Sequence, residues 1–174
     1  MTNTNLEALI RNVPDFPIPG VQFKDITTLL HNGPAFRAVI DQIVTRFRDE
    51  RIDVVAGIES RGFIFSAPVA YQLGVGLVPI RKPGKLPAET IEVAYSLEYG
   101  TNVLQMHADA IQPGARVLLV DDLLATGGTV AAATELVRHV GGEVVGLAFV
   151  IELLFLNGRA QLGEYPIFSL VQYN

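Results

Sequence analysis

Asp121 and Asp122 stand directly before Leu123-Leu124-Ala125-Thr126-Gly127-Gly128-Thr129, and the apolar run Val117-Leu118-Leu119-Val120 precedes them. A buried strand that ends in two carboxylates and passes through a loop of small residues into a helix puts this junction at the carboxyl edge of a parallel sheet, where ligands bind. From Ala125 to Thr129 the loop offers consecutive backbone N–H groups at the positive end of a helix dipole, and its glycines allow close approach. These are the features of a phosphate site. Two carboxylates would repel a phosphate bound alone, but they suit the two hydroxyls of a ribose whose 5-phosphate lies in the loop. An isolated Gly-Gly-Thr would read as a strand-to-helix turn with Thr129 as a cap; the full string favours the cradle.

Other phosphate-binding patterns fail. A Walker loop needs Gly-Lys followed by Ser or Thr, and Gly84-Lys85 is followed by Leu86. Gly74-Val75-Gly76 starts a dinucleotide fingerprint but runs into Pro79 and precedes a strand instead of following one. A second candidate turn is Gly57-Ile58-Glu59-Ser60-Arg61-Gly62, at the end of another expected strand, where Arg61 supplies charge for an oxygen-rich ligand. Arg81, Lys82 and Lys85 form a basic run on a loop containing proline and glycine. Such a run is usually a solvated face, and it also suits a lid over an anion. His31, His107 and His139 show neither ligand spacing nor a paired nucleophile.

Alternating strands and helices must position these residues. Leu6 and Ile10 fall on one face of a short helix entered through the capping-box spacing of Thr4 and Glu7, and the proline-rich segment 14–20 ends it. Phe36, Ile40, Ile43, Val44 and Phe47 recur at helical spacing. Residues 52–58 read as a strand, Gly62–Leu73 as a helix stopped by Gly74, and 75–80 as a strand; the pattern returns as strand 116–120, helix 129–140 and strand 143–151. Such alternation implies a parallel sheet covered on both faces. Residues 82–93 have no period and read as a flexible surface loop.

At 174 residues and 49% hydrophobic, the chain is expected to fold as one domain. A net charge of −5 argues against a general nucleic-acid surface. The absence of cysteine removes disulfides, thiolate catalysis and cysteine-held metals. No secretory signal is readable at the N-terminus, and residues 144–156 fall short of the roughly 20 that a spanning helix needs. The expectation is a cytoplasmic protein without a membrane or nucleic-acid partner.

The cradle segment resembles the phosphoribosyl pyrophosphate (PRPP) motif of type I phosphoribosyltransferases. Four more blocks resemble the adenine-specific branch of that family: Phe16-Pro17-Ile18-Pro19-Gly20-Val21-Gln22-Phe23-Lys24-Asp25-Ile26, Gly57-Ile58-Glu59-Ser60-Arg61-Gly62-Phe63, Arg81-Lys82-Pro83-Gly84-Lys85-Leu86-Pro87 and Tyr95-Ser96-Leu97-Glu98-Tyr99-Gly100. Their spacing matches as well. Lys24 departs from the arginine usual in the family. The resemblance implies an α/β type I phosphoribosyltransferase fold: a central, mainly parallel twisted sheet with helices on both faces, a small base-binding hood from about residues 1–33 with parts of the C-terminal segment, and a flexible catalytic loop at 82–93. It implies a transferase that joins adenine to PRPP, giving AMP and pyrophosphate through an oxocarbenium-like state, with Mg²⁺ bound through PRPP and no direct protein ligand.

Residue by residue, the resemblance assigns Asp121, Asp122, Ala125, Thr126, Gly127, Gly128 and Thr129 to the ribose 5-phosphate. Glu59, Ser60, Arg61, Arg81, Lys82 and Lys85 fall to pyrophosphate, with a cis Glu59–Ser60 bond, and Arg81 able to reach the neighbouring subunit's site in a homodimer. Val21, Gln22, Phe23 and Lys24 fall to adenine, Phe23 by stacking and Gln22 by its backbone. Glu98 and Arg61 are the catalytic candidates, Glu98 as acid/base near the imidazole nitrogens of the purine. Related proteins that sense PRPP and regulate transcription add a DNA-binding segment; no basic helix-turn-helix is visible here.

Overall fold

The structure is a computed structural model that describes residues 5–96 and 101–174. It divides into two compact units, residues to Gln42 and residues from Ile43.

The larger unit is built on five parallel strands in the order β4-β3-β7-β8-β9, where β3 is Val54–Ile58, β4 Gly76–Ile80, β7 Arg116–Leu124, β8 Glu143–Leu153 and β9 Ile167–Tyr173. Helix α3 (Gly62–Leu73) connects β3 to β4, and α4 (Gly128–His139) connects β7 to β8. Chain order reverses at β3, whose neighbours are β4 on one side and β7 on the other. A crevice therefore opens between the carboxyl ends of β3 and β7, the topological switch point where open parallel sheets bind ligands.

Both faces of the sheet are covered. On one, Leu136 and Val137 of α4 pack with Ile58, Leu119 and Phe149, together with Val93, Leu104 and Met106 from the antiparallel pair β5 (Thr90–Ser96) and β6 (Thr101–His107). On the other, Phe65 of α3 is fully buried. Phe47, the last residue of α2 (Gly33–Phe47), lies over Gly146, where a Cβ would run into the ring at Cε1. The β7–β8 register shifts beside this point, so the bulge and the missing side chain together admit the ring.

The smaller unit holds a hairpin of β1 (Arg11–Pro14) and β2 (Gln22–Asp25), followed by α1 (Thr27–His31) and the start of α2. Asp25 closes its end: Arg11 donates to Oδ2 at 2.5 and 3.0 Å and the Thr27 N–H to Oδ1 at 2.9 Å. The Thr27 N–H first and Arg11 second lower the Asp25 pKa to about 2.

Several sequence expectations change in detail. The helix expected from Leu6 to Ile10 is one 3-10 turn, Glu7–Leu9, with Asn5 Oδ1 accepting the Ala8 N–H at 3.3 Å; Thr4 lies outside the described residues. The strand expected over 116–120 continues to Leu124, because β8 pairs with it through Leu124↔Glu152. The aperiodic segment from 82 ends sooner than 93: β5 starts at Thr90 and is held by β6 from His107 onward. Strands β1, β2, β6 and β9 carry no clear period in the sequence, and pairing partners define them.

Candidate active site

Because β7 runs past Val120, Asp121 and Asp122 lie inside the strand, and both are buried. They face a cavity of about 460 Å³ at the switch point, together with Glu59, Ser60 and Arg61 from the end of β3 and Ala125, Thr126, Gly127 and Thr129 from the loop into α4. The Arg61 Nε lies 2.9 Å from Asp122 Oδ2, and Asp121 Oδ1 accepts the Asp122 N–H at 2.9 Å. Burial pushes the Asp121 carboxyl well above the usual range, and the charge of Asp122 adds to this. Burial also raises Asp122, against the opposing pull of Arg61. Both carboxyls are thus pushed upward, Asp121 further than Asp122, which the Arg61 guanidinium holds back.

Two glycines bring the turns together. At Gly62 a Cβ would stand 2.7 Å from Asp121 Oδ1 and 3.1 Å from the Val120 carbonyl, so only glycine lets α3 start against β7. Gly127 has φ +89° and gives α4 no side-chain cap, which leaves first-turn N–H groups available to an anion.

At the second turn the Glu59–Ser60 peptide bond is cis. The Glu59 side chain accepts the Lys82 N–H at 3.0 Å and pairs with Arg81 at 3.2 Å. Partial burial works to raise the Glu59 carboxyl, but the Lys82 N–H and Arg81 outweigh it and hold the group below its ordinary value. Lys82 reaches the cavity. Arg81 and Lys85 do not line it: Arg81 is held by Glu59 in its own chain and donates to the Lys85 carbonyl at 3.1 Å. Gly128 does not line the cavity either. The loop root is tied by the Arg81↔Gln105 bridge, and Gln105 Oε1 accepts the Gly84 N–H at 3.2 Å.

Val21 precedes β2, which carries Gln22, Phe23 and Lys24 in the smaller unit. The Phe23 ring is half-buried, edge-on to Phe16 at 5.0 Å, and Gln22 Oε1 accepts from Asn12 at 2.6 Å. Glu98 lies outside the described residues. Sequence reasoning missed Asn102 and Leu104 as lining residues, and a role for Tyr95, whose hydroxyl is 3.3 Å from Thr129 Oγ1. It also missed Gly158, whose backbone lies against Ala125 and Gly127. The pair Asn157-Gly158 signals a turn, and nothing local shows what that turn touches.

A parallel sheet whose switch point joins a glycine cradle, a buried aspartate pair and an arginine turn defines a phosphoribosyl-handling α/β protein. Residues 25–164 match the family described as "Phosphoribosyl transferase domain". The adenine phosphoribosyltransferase of Chloroflexus aurantiacus is 68% identical over 173 residues, 99% of this chain and 100% of that protein. The crystal structure of the Thermoanaerobacter pseudethanolicus adenine phosphoribosyltransferase is 50% identical with TM-score 0.94, covering 97% of this chain and 98% of that one. The Saccharomyces cerevisiae enzyme, solved with an imino-altritol bisphosphate and adenine, is 40% identical with TM-score 0.89, covering 95% and 96%. The chain belongs to the adenine phosphoribosyltransferase family.

Proposed function

We propose that the protein transfers the 5-phosphoribosyl group of PRPP to adenine, releasing pyrophosphate and forming AMP, a purine-salvage reaction. The observation that carries this reading is the cavity itself: buried Asp121 and Asp122, the loop residues Ala125, Thr126, Gly127 and Thr129, and Arg61 lie around one space at the switch point. In the reaction, adenine N9 attacks C1 as the bond from C1 to the pyrophosphate oxygen breaks, and the N9 proton leaves to a base. The cradle N–H groups hold the 5-phosphate. Asp122 accepts from a ribose hydroxyl, and Asp121, whose carboxyl is pushed further upward, can donate to the other. The negative charge of Asp122 also favours the cation-like ribosyl group.

Arg61 and Lys82 stabilise charge gathering on the leaving pyrophosphate; fixed charges of this kind are commonly the largest catalytic effect. The carboxylate and hydroxyl oxygens around the cavity suit Mg²⁺ held mainly by PRPP and water, with Asp121 and Asp122 as outer oxygen partners. When bound, the ion neutralises pyrophosphate charge. By resemblance Glu98 is the acid/base group, an effect worth about 10²–10⁴-fold when a proton moves in the transition state.

Adenine recognition falls to Val21, Gln22, Phe23 and Lys24. The Gln22 side chain is occupied by Asn12, which supports recognition through backbone groups. A fixed carbonyl accepts the 6-amino group of adenine and opposes the 6-oxo group of hypoxanthine or guanine. Residues 82–89, ahead of β5, serve as a flexible lid in this reading, and the enzyme works in the cytoplasm as a homodimer, the latter supported by exposed Ile64, Tyr71 and Leu77. The test is to incubate protein, Mg²⁺ and PRPP with each purine separately and separate the products. AMP from adenine, with little product from the others, is expected; no AMP, or equal use of hypoxanthine, refutes it.

A further inference from the structure

The phosphate loop rests on a backbone surface. At Gly127 a Cβ would come within 3.2–3.3 Å of the Gly158 C and Cα, and at Gly158 a Cβ would come within 3.2 Å of the Ala125 C. With no side chain on either glycine to adjust, the position of the loop follows that of Gly158. What holds Gly158 is therefore a question about the loop.

Its segment is two short 3-10 turns, Leu154–Leu156 and Gly158–Gln161, with Asn157 between them at φ 51°. The turn's own backbone bonds are local: the Asn157 N–H donates to the Leu154 carbonyl at 3.0 Å and the Ala160 N–H to the Asn157 carbonyl at 3.1 Å. The tie to the sheet comes from the next residue. Arg159 Nε and Nη2 donate to Glu152 Oε1 and Oε2 at 2.6 and 2.7 Å, and Gln172 of β9 donates to Oε2 at 3.0 Å. Glu152 is only 2% exposed, on β8 opposite Leu124 at the end of β7. The two parallel N–H···O bonds fix the guanidinium in orientation as well as distance. Arg159 also lowers the Glu152 carboxyl below its usual value, so the pair stays charged through the neutral range.

We infer that Glu152 and Arg159 are positioning residues for the ribose 5-phosphate: their ion pair sets the Gly158 turn and, through it, the 125–129 loop. The inference rests on the cradle assignment of the proposed function. A phosphate loop displaced by about 1 Å costs on the order of 10²-fold in rate, and a turn released from one anchor relaxes by less.

Arg159→Ala, Arg159→Lys and Glu152→Gln should be made in the full chain. Binding of ribose 5-phosphate is measured by calorimetry and both KM values by initial rates, with thermal unfolding followed alongside. Arg159→Ala should weaken ribose 5-phosphate and raise the KM for PRPP about tenfold, while the KM for adenine and kcat at saturating PRPP change less than about twofold. Arg159→Lys, which keeps the charge but loses the paired geometry, should recover part of the loss, and Glu152→Gln should shift the same parameter. If folded variants bind ribose 5-phosphate as the parent does, or both KM values and kcat decline together, the inference is overturned. If the parent itself binds no ribose 5-phosphate, the cradle assignment is overturned with it.

Discussion

Replacing Gly127 with alanine adds one methyl group at the point where the phosphate loop meets Gly158. The residue sits at φ +89°, where a side chain costs about 1–2 kcal/mol by itself. The new Cβ would lie 3.2 Å from Gly158 C and 3.3 Å from its Cα, and nearer still to its carbonyl oxygen, all backbone atoms that cannot rotate away. Unstrained C···O contacts lie near 3.3–3.6 Å, so relief needs a shift of about 1 Å in the loop or the turn. A 1 Å misplacement lowers rate by about 10²-fold, equivalent to about 2.7 kcal/mol in transition-state binding. We expect kcat/KM for PRPP to fall by about that factor in initial-rate assays of AMP formation, with the KM for adenine nearly unchanged. Gly74→Ala separates backbone strain from the clash: Gly74 has φ +71° with nothing within 4 Å of its Cβ position. It should lower the melting temperature and leave kinetics alone. If Gly127→Ala stays within threefold of the parent, or Gly74→Ala loses PRPP affinity equally, the interlock reasoning fails.

Three further outcomes follow from the geometry. Asp121→Asn should raise the thermal midpoint at pH 7 while weakening PRPP. A buried acid with a raised pKa is at its most stable below its unfolded pKa and loses stability as pH rises, so the neutral amide removes that loss, an effect commonly worth about 0.5–2 kcal/mol; a lower midpoint measured by calorimetry counts against it. Asp25 has the opposite sign: held near 2 against an ordinary 3.8, it contributes stability that is present above about pH 4 and lost as pH falls toward 2. Arg11→Ala should move this loss to higher pH in an NMR titration of the Thr27 amide, and an unmoved curve removes the Arg11 contribution. Phe23→Ala should raise the KM for adenine, given that base–aromatic stacking is worth about 1–3 kcal/mol, while Gln22→Ala keeps base choice. Altered base choice in Gln22→Ala with a silent Phe23→Ala would place recognition in side chains.

The alternating strands and helices, the bounds of α3 with its stop at Gly74, and the strand-to-helix junction between Asp121 and Thr129 were legible in the sequence. Each is encoded locally, by apolar period, by a glycine at a helix end, or by small residues between a strand and a helix. The parallel, two-sided sheet follows from the same alternation. Sequence alone could not show that β7 lies beside β3, nor that β9 completes the edge, because strand order is chosen by burial over the whole chain. That choice brings Arg61 to Asp122, runs β7 on through the aspartates so that both are buried, and raises their pKa values. It also sets Gly158 behind Gly127 and Arg159 on Glu152. In the sequence Glu152 is only a break in an apolar run and Asn157-Gly158 only a turn. Contacts between distant segments have no local period or turn chemistry to announce them, so only the packed sheet brings Gly158, Arg159 and Glu152 together beside the 125–129 loop.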